Sequence, residues 1–215
     1  PVRPRDRFVG RGEAVAATLA HFRGGARLVT LVGAGGVGKT RLATELANRW
    51  REGGRATTWC DLTDAIDDVQ VLRAVAAASG VRLAGAEPGE WRQGLAGALS
   101  AGPDRILILD NAEQVVAEAA LAAGAWMAGV CILVTSRERL RVPGEHVVVV
   151  PPLPQSEAVT LFLDRAGAAG TTDLDPVLVT TLVERLDRLP LALELGACQA
   201  GLLGVRALLG GLDTT

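Results

Sequence analysis

Lysine is almost missing from this chain. Of the 22 basic residues among 215, one is a lysine, Lys39, and the others are arginine. Cysteine is scarce as well. Cys60, Cys131 and Cys198 are scattered and form neither a disulfide framework nor a Cys-x-x-Cys metal pattern, which suits a reducing cytosol. No apolar run reaches the length of a membrane span and no signal-peptide pattern is present, so no membrane partner and a cytoplasmic location are expected. A net charge of −2 gives no electrostatic reason for this segment to bind nucleic acid directly. Trp50, Trp59, Trp91 and Trp126 are not interleaved with basic residues and read as packing anchors, not as a base-stacking platform. His21 and His146 are isolated and are not read as ligands. Internal repeats and low-complexity segments are not evident. The chain starts at Pro1 without a Met, and the expectation is a domain excised from a longer protein.

What is present begins with a hydrophobic fraction of 49%, inflated by alanine and glycine but ample for a core. The length fits one large domain, or a domain of about 150 residues with a smaller appendage. The stretch that organises the rest is Gly33-Ala34-Gly35-Gly36-Val37-Gly38-Lys39-Thr40. It follows the apolar run Leu28-Val29-Thr30-Leu31-Val32 and precedes the helical pattern Leu42-Ala43-Thr44-Glu45-Leu46-Ala47. Strand, G-x-x-x-x-G-K-T turn and helix is the context of a Walker A phosphate-binding loop. The glycines allow backbone angles that let successive N–H groups turn inward around an anion. The helix that follows adds its unpaired N–H groups and positive dipole end. Lys39 is expected to reach the β- and γ-phosphates, and the Thr40 hydroxyl to ligate Mg²⁺. Gly33, Gly35, Gly36, Val37, Gly38, Lys39, Thr40 and Arg41 make up the expected phosphate-binding set.

Taken in order, Pro1 to Arg7 reads as an extended lead-in. Phe8 to Glu13 opens a helix with Val15, Leu19 and Phe22 at helical spacing, closed by Gly24-Gly25. After the loop a helix runs to about Arg51, then Thr57 to Leu62 reads as a buried strand. Val69 to Ala78 is an amphipathic helix stopped at Gly80, residues 81–90 a loop, and Trp91 to Leu99 a further helix ended by Gly102-Pro103. Ile106-Leu107-Ile108-Leu109-Asp110 is an all-apolar strand ending in a carboxylate, as in a Walker B strand buried on both faces, with Asp110 holding Mg²⁺ through its water shell. Val115 to Ala123 reads as helix. Val130 to Thr135 is another strand, with Ser136-Arg137 at its C-terminal edge. Ligands of open parallel sheets lie outside those edges, so Arg137 points toward the same crevice as Lys39 and is placed to sense a γ-phosphate. His146 to Val150 is the last strand, and Pro151-Pro152-Leu153-Pro154 marks a boundary, since three prolines in four residues continue neither strand nor helix. Beyond it Ser156 to Ala168 (with Ser156 as cap), Pro176 to Leu186, Leu191 to Gly201 and Val205 to Leu209 read as helices. The fold class is therefore α/β: a P-loop NTPase domain over 1–150, with a central mostly parallel sheet flanked by helices, then a small all-helical lid over 151–215.

The set resembles the STAND class of P-loop NTPases, relatives of AAA+ proteins that include the NB-ARC domains. The matching stretches are Phe8-Val9-Gly10-Arg11, the Walker A loop, Leu107 to Val115, Thr135 to Leu140, Pro152-Leu153-Pro154 with Glu157-Ala158, and Leu189-Pro190-Leu191-Ala192-Leu193. They run in the family's order over almost the whole chain, and look most like the ATPase modules of large bacterial SARP- and LuxR-type transcription regulators. The resemblance implies that Val9 to Arg11 line the adenine site, that Pro190 packs on the adenine from the lid, and that Arg137 is the γ-phosphate sensor. It also implies effector and sensor domains elsewhere in the parent chain, and leaves a homo-oligomer open for the activated form. Arg188 stands where the family's motif usually has glycine, which puts the local turn in question. Asn111 stands where an acid often follows the Walker B Asp, and an amide cannot accept a proton from water. Glu113 is a nearby carboxylate, readable either as the base or as a first-turn acid favoured by the helix dipole.

A guanine-reading Asn-Lys-x-Asp motif needs a second lysine, so ATP/ADP is favoured over GTP; no LSGGQ-like stretch points to a transporter ATPase. The leading expectation is an ATP/ADP-binding regulatory switch with slow Mg²⁺-dependent hydrolysis, in which Lys39, Asp110 and Arg137 carry the chemistry. The alternatives are a cycling AAA+-type motor, a small-molecule kinase using Asp61 or Asp64, and a nucleotide-binding scaffold without hydrolysis.

Overall fold

The structure, a computed structural model, describes residues 7–101, 104–171 and 174–212. The chain divides into two compact units. The first holds Gly12–Gly33 and Lys39–Val150; the second holds residues 7–11, Ala34–Gly38 and the chain from Pro151 onward.

In the first unit the elements are α1 (Gly12–Arg23), β1 (Leu28–Val32), α2 (Lys39–Glu52), β2 (Ala56–Asp61), α3 (Asp68–Ser79), α4 (Pro88–Ser100), β3 (Arg105–Asp110), a 3-10 turn (Ala112–Gln114), α5 (Val116–Trp126), β4 (Cys131–Ser136) and β5 (Glu145–Val149). The five strands form one parallel sheet in the order β2-β3-β4-β1-β5. Every residue of β4, and all of β3 after Arg105, is buried, as strands covered on both faces must be. That is why Ile106 to Leu109 is an unbroken apolar run and not an alternating one. The register sets Asp61 opposite Asp110 and Val32 opposite both Ser136 and Val149, so five strand ends share one edge of the sheet.

Local chemistry fixes the helix ends. Asp67 caps α3, accepting from Gln70 N at 2.8 Å, and Gly80 closes it in the left-handed conformation (φ 68°). Helix α4 starts at Pro88, three residues before the apolar periodicity suggests, because Glu87 and Glu90 form a capping box around Pro88 at the first helical position. The loop read over 81–90 is correspondingly shorter, and the helix stop read at Gly102-Pro103 lies outside the described residues, as does the lead-in before Arg7. Trp126 is buried and anchors α5 onto α4 by donating its indole N–H to Arg92 O at 3.0 Å. Arg92 in turn reaches both carboxylate oxygens of Asp68 at 2.6 Å, tying α4 to α3. Leu72, Val75, Leu95, Leu107, Ile132 and Trp126 belong to one core. Cys60 and Cys131 are buried free thiols, and burial pushes Cys60 up to about 12, which leaves it inert. His21 and His146, far apart in sequence, are not isolated in space: their rings lie 4.7 Å apart where α1 covers β5.

In the second unit α6 (Gln155–Ala168), α7 (Pro176–Arg185), α8 (Pro190–Leu203) and α9 (Val205–Leu212) enclose a core that includes Leu153, Phe162, Val179, Leu182, Leu193 and Ala197. Ser156 does not cap α6. It sits inside the helix, and Pro154, whose ring fixes φ near −54°, occupies the cap position without a side-chain bond. Asp175 caps α7 by accepting from Val177 N at 2.8 Å, and Pro190, like Pro176, stands at a first-turn position. Asp187 and Arg188 both take positive φ (53° and 55°) in the turn before Pro190, and Arg188 O accepts from Leu153 N at 3.1 Å. Among the described residues no single helix is long and apolar enough to cross a membrane; α8 and α9 pass that test only as a pair bent by 118°.

Candidate functional site

The site is built where β1 ends. Gly33 N donates to Ser136 O at 3.4 Å, tethering the start of the loop to the end of β4. The chain then turns through Gly36 (φ 74°) and Gly38 (φ 96°), angles that side chains rarely adopt, and enters α2 at Lys39. A Cβ on Gly36 would stand 3.2 Å from Leu191 Cβ, and one on Gly38 3.6 Å from the Pro190 ring. Gly36 O also accepts from Leu191 N at 3.2 Å, and Val37 O accepts from the Arg11 guanidinium at 2.9 Å. The loop tip is thus held from two sides within the second unit, by the start of α8 and by Arg11. Gly35 is exposed, Val37 is buried, and Arg41 lies half-buried in the first turn of α2.

Lys39 is 8% exposed and donates to Gly33 O at 2.9 Å, which folds its ammonium back over the loop. Burial pushes it below the usual lysine range; Glu113 and Asp110 oppose that shift and Arg137 adds to it. Asp110, 2% exposed at the end of β3, accepts on Oδ1 from Thr40 Oγ1 at 2.9 Å and from Thr135 Oγ1 at 2.6 Å. Burial raises its carboxyl above the ordinary range, the two hydroxyls partly offset this, and the neighbouring Asp61 adds to it. Thr40 and Asp110 therefore present hydroxyl and carboxylate oxygens to one point, the donor set a hard divalent cation takes. The hydrogen-bond partners of Asp110, the two hydroxyls and the Asn111 backbone, are all neutral, so a divalent cation such as Mg²⁺ fits this donor set.

Arg137 follows β4 directly, is largely exposed, and has its Nε 3.5 Å from Glu113 Oε1. Asn111 takes a left-handed conformation (φ 60°), which asparagine tolerates. Its amide donates to Asp61 Oδ1 at 3.1 Å and Thr63 Oγ1 at 2.9 Å. Burial works to raise Asp61, but the bonds from Thr63 and Asn111 outweigh it and hold the carboxyl below its ordinary value. Asp61 is thus the acceptor of a turn, bonded also by Thr63 N at 3.0 Å.

Val9, Gly10, Ser156, Glu157 and Thr160 line a cleft of about 270 Å³, at the small end for a ligand pocket. Arg11 is anchored beside it, its backbone N–H donating to Glu157 Oε2 at 3.3 Å. Burial lowers the Arg11 guanidinium and Glu157 partly restores it. Pro190 is placed on the glycine loop by its contact with Gly38. The Arg11 bond to the loop carbonyl had no signal in the sequence; a basic residue after a Val-Gly pair does not show what it will touch.

A parallel sheet of this order, with a glycine loop leading from β1 into α2 and a buried carboxylate on the neighbouring strand ends, defines a P-loop ATPase fold. The chain belongs to the AAA ATPase domain family, whose model matches residues 7–195. Among curated proteins it is 32% identical over 200 residues to a Mycobacterium tuberculosis protein named as a candidate HTH-type transcriptional regulator; that match covers 87% of this chain and 22% of the relative. An uncharacterized Mycobacterium tuberculosis protein is 31% identical over 216 residues, covering 96% of this chain and 54% of its own length. The chain thus spans from about a fifth to about half of these relatives. Among solved structures, Cdc6p of Pyrobaculum aerophilum aligns with TM-score 0.68 at 14% identity over 98% of this chain and 65% of that one. A STAND protein with a tetratricopeptide repeat sensor from Pyrococcus horikoshii aligns at 0.62 and 20% identity, over 90% and 31%. AMPPCP-bound DnaA of Aquifex aeolicus aligns at 0.59 and 14% identity, over 97% and 67%. These likenesses show the fold.

Proposed function

We propose that this chain is an ATP/ADP-binding switch module with slow Mg²⁺-dependent hydrolysis, one part of a larger signalling or transcription-regulatory protein. The observation that carries the reading is the convergence of Lys39, Thr40, Asp110 and Arg137 on the sheet edge where the glycine loop begins. Backbone N–H groups of 35–40 and the Lys39 ammonium bind the phosphates, and Thr40 and Asp110 hold Mg²⁺. Bound there, Mg²⁺ neutralises charge on the β- and γ-phosphates. Residues 1–150 are assigned to the nucleotide-binding domain and 151–215 to the lid, the second unit also taking in residues 7–11 and Ala34–Gly38, and Val9, Arg11 and Pro190 are assigned to the adenine. A relative named as a transcriptional regulator supports the regulatory setting, and an AMPPCP-bound structural neighbour supports the choice of adenine.

Only a triphosphate engages Arg137, so ATP and ADP favour different arrangements by the difference in their affinities for each. Asn111, turned toward Asp61, places no carboxylate beside the γ-phosphate, in keeping with slow turnover. Steady-state phosphate release from purified protein tests this. The reading expects turnover well below about 10 s⁻¹, the middle of the enzyme range, and sustained turnover above it contradicts a switch.

A further inference from the structure

Asn111, in the left-handed conformation, leads directly into the 3-10 turn Ala112–Gln114. Ala112 is buried in the sheet's core, and Glu113 follows with its side chain 22% exposed. Oε1 of Glu113 is 3.5 Å from Arg137 Nε, while Oε2 is buried without a hydrogen-bond partner among the described residues. Glu113, like Asp110, acts on Lys39 to keep its ammonium charged against the effect of burial. A buried carboxylate oxygen with no donor is costly to hold, and is tolerated where nearby positive charge compensates it. Glu113 is thus paired with Arg137, the residue assigned above to the γ-phosphate, and its charge also acts on Lys39.

We propose that Glu113 sets the selectivity of this site between ATP and ADP by competing with the γ-phosphate for Arg137. The inference rests on the roles given to Lys39 and Arg137 in the proposed function. The β-phosphate of either nucleotide meets Lys39, so competition there weakens both alike. Arg137 is called on only by the γ-phosphate, so breaking its pair with Glu113 is a cost that ATP bears and ADP does not. Arg137 is two-thirds exposed, which keeps the pair weak enough to be exchanged. The side chain that lowers the advantage of ATP is thus encoded three residues after the Walker B acid.

The test is calorimetric titration of the full chain with Mg²⁺ and either ADP or β,γ-methylene ATP, which removes hydrolysis from the readout. Glu113→Gln keeps the size of the side chain and removes its charge. It is expected to raise the affinity for the triphosphate over that for ADP by about tenfold relative to the unmodified protein. Glu113→Ala is expected to move the ratio in the same direction, and serves if the amide perturbs folding. In an Arg137→Gln background the Glu113→Gln shift should fall to about twofold or less. A merely structural role would weaken both nucleotides together and leave their ratio in place. Lys39-dependent binding of ADP with a ratio unmoved or lowered by Glu113→Gln overturns this proposal alone. An equal shift without Arg137 does the same. Binding of both nucleotides that survives Lys39→Ala, or no binding by the unmodified protein, overturns the proposed function and this inference with it.

Discussion

Thr40 and Asp110, seventy positions apart in the chain, are joined by a hydrogen bond of 2.9 Å from hydroxyl to carboxylate. One opens α2 and the other ends β3. The helix thus starts beside the end of the strand, where Asp110 is buried deeply enough that its charge is a burden to the fold.

Replacing Asp110 with Asn should therefore separate stability from function. The amide oxygen still accepts from Thr40 and Thr135, but the buried charge is gone. Without nucleotide, Asp110→Asn is expected to unfold at a higher temperature, by about 1 kcal/mol of stability at neutral pH. A carboxyl raised in the fold binds its proton more tightly there than in the unfolded chain. Its contribution is therefore fully present below the unfolded value near 3.8 and lost as pH rises through the folded value. The advantage of Asn should accordingly shrink as pH falls toward that range. Mg²⁺ should no longer strengthen ADP binding in this variant, and a lower melting temperature or an intact Mg²⁺ effect would contradict the assignment.

Lys39 has the opposite sign. Its ammonium lies below the ordinary value of 10.5, so the folded chain releases that proton sooner than the unfolded one. Stability without nucleotide should rise as pH climbs from the folded value toward 10.5, and be lost as pH falls through the folded value. Nucleotide affinity should run the other way. A bound polyphosphate favours the ammonium, so ADP binding should weaken as pH rises past the depressed value, with proton uptake on binding. Titrations from neutral to pH 10 in buffers of different ionisation enthalpy measure both, and an affinity flat across that range counts against Lys39 as the phosphate ligand.

The turn before α8 carries two consecutive left-handed residues, Asp187 and Arg188, neither of them glycine. Each costs an L-residue about 1 kcal/mol, and glycine removes that cost while adding chain entropy to the unfolded state. Arg188→Gly is expected to gain about 0.5 kcal/mol or more, seen as a melting temperature raised by about 1–2 °C. The glycine usual at this place in related sequences then has a backbone reason. A loss of stability would mean that the Arg188 side chain holds the turn.

How far the sequence could be read depended on the distance between partners. The run Ile106 to Asp110, the glycine loop and the prolines at 151–154 are local signals, and the strands and helices they mark are present within a few residues of their expected ends. The meeting of Thr40 with Asp110 was legible only through the two motifs that each belongs to, while the strand order β2-β3-β4-β1-β5 rests on long-range pairing that no local pattern records. The pairing of Glu113 with Arg137, the bond from Arg11 to Val37 O and the tilted ring contact of His21 with His146 span 24, 26 and 125 positions, and no periodicity records them. Asn111 shows the same limit from another side. Its missing carboxylate was plain, but its left-handed backbone and its bond to Asp61 depend on a neighbouring strand.

The central claim is that the loop from Gly33 to Thr40 grips the phosphates of an adenine nucleotide through Lys39. The most direct test is to denature the purified protein and identify by chromatography whatever nucleotide it releases. The account predicts ADP or ATP at a substantial fraction of one per chain, and none from Lys39→Ala protein that retains its fold by circular dichroism. Nucleotide released equally by the folded Lys39→Ala variant, or a guanine nucleotide in place of adenine, would contradict it.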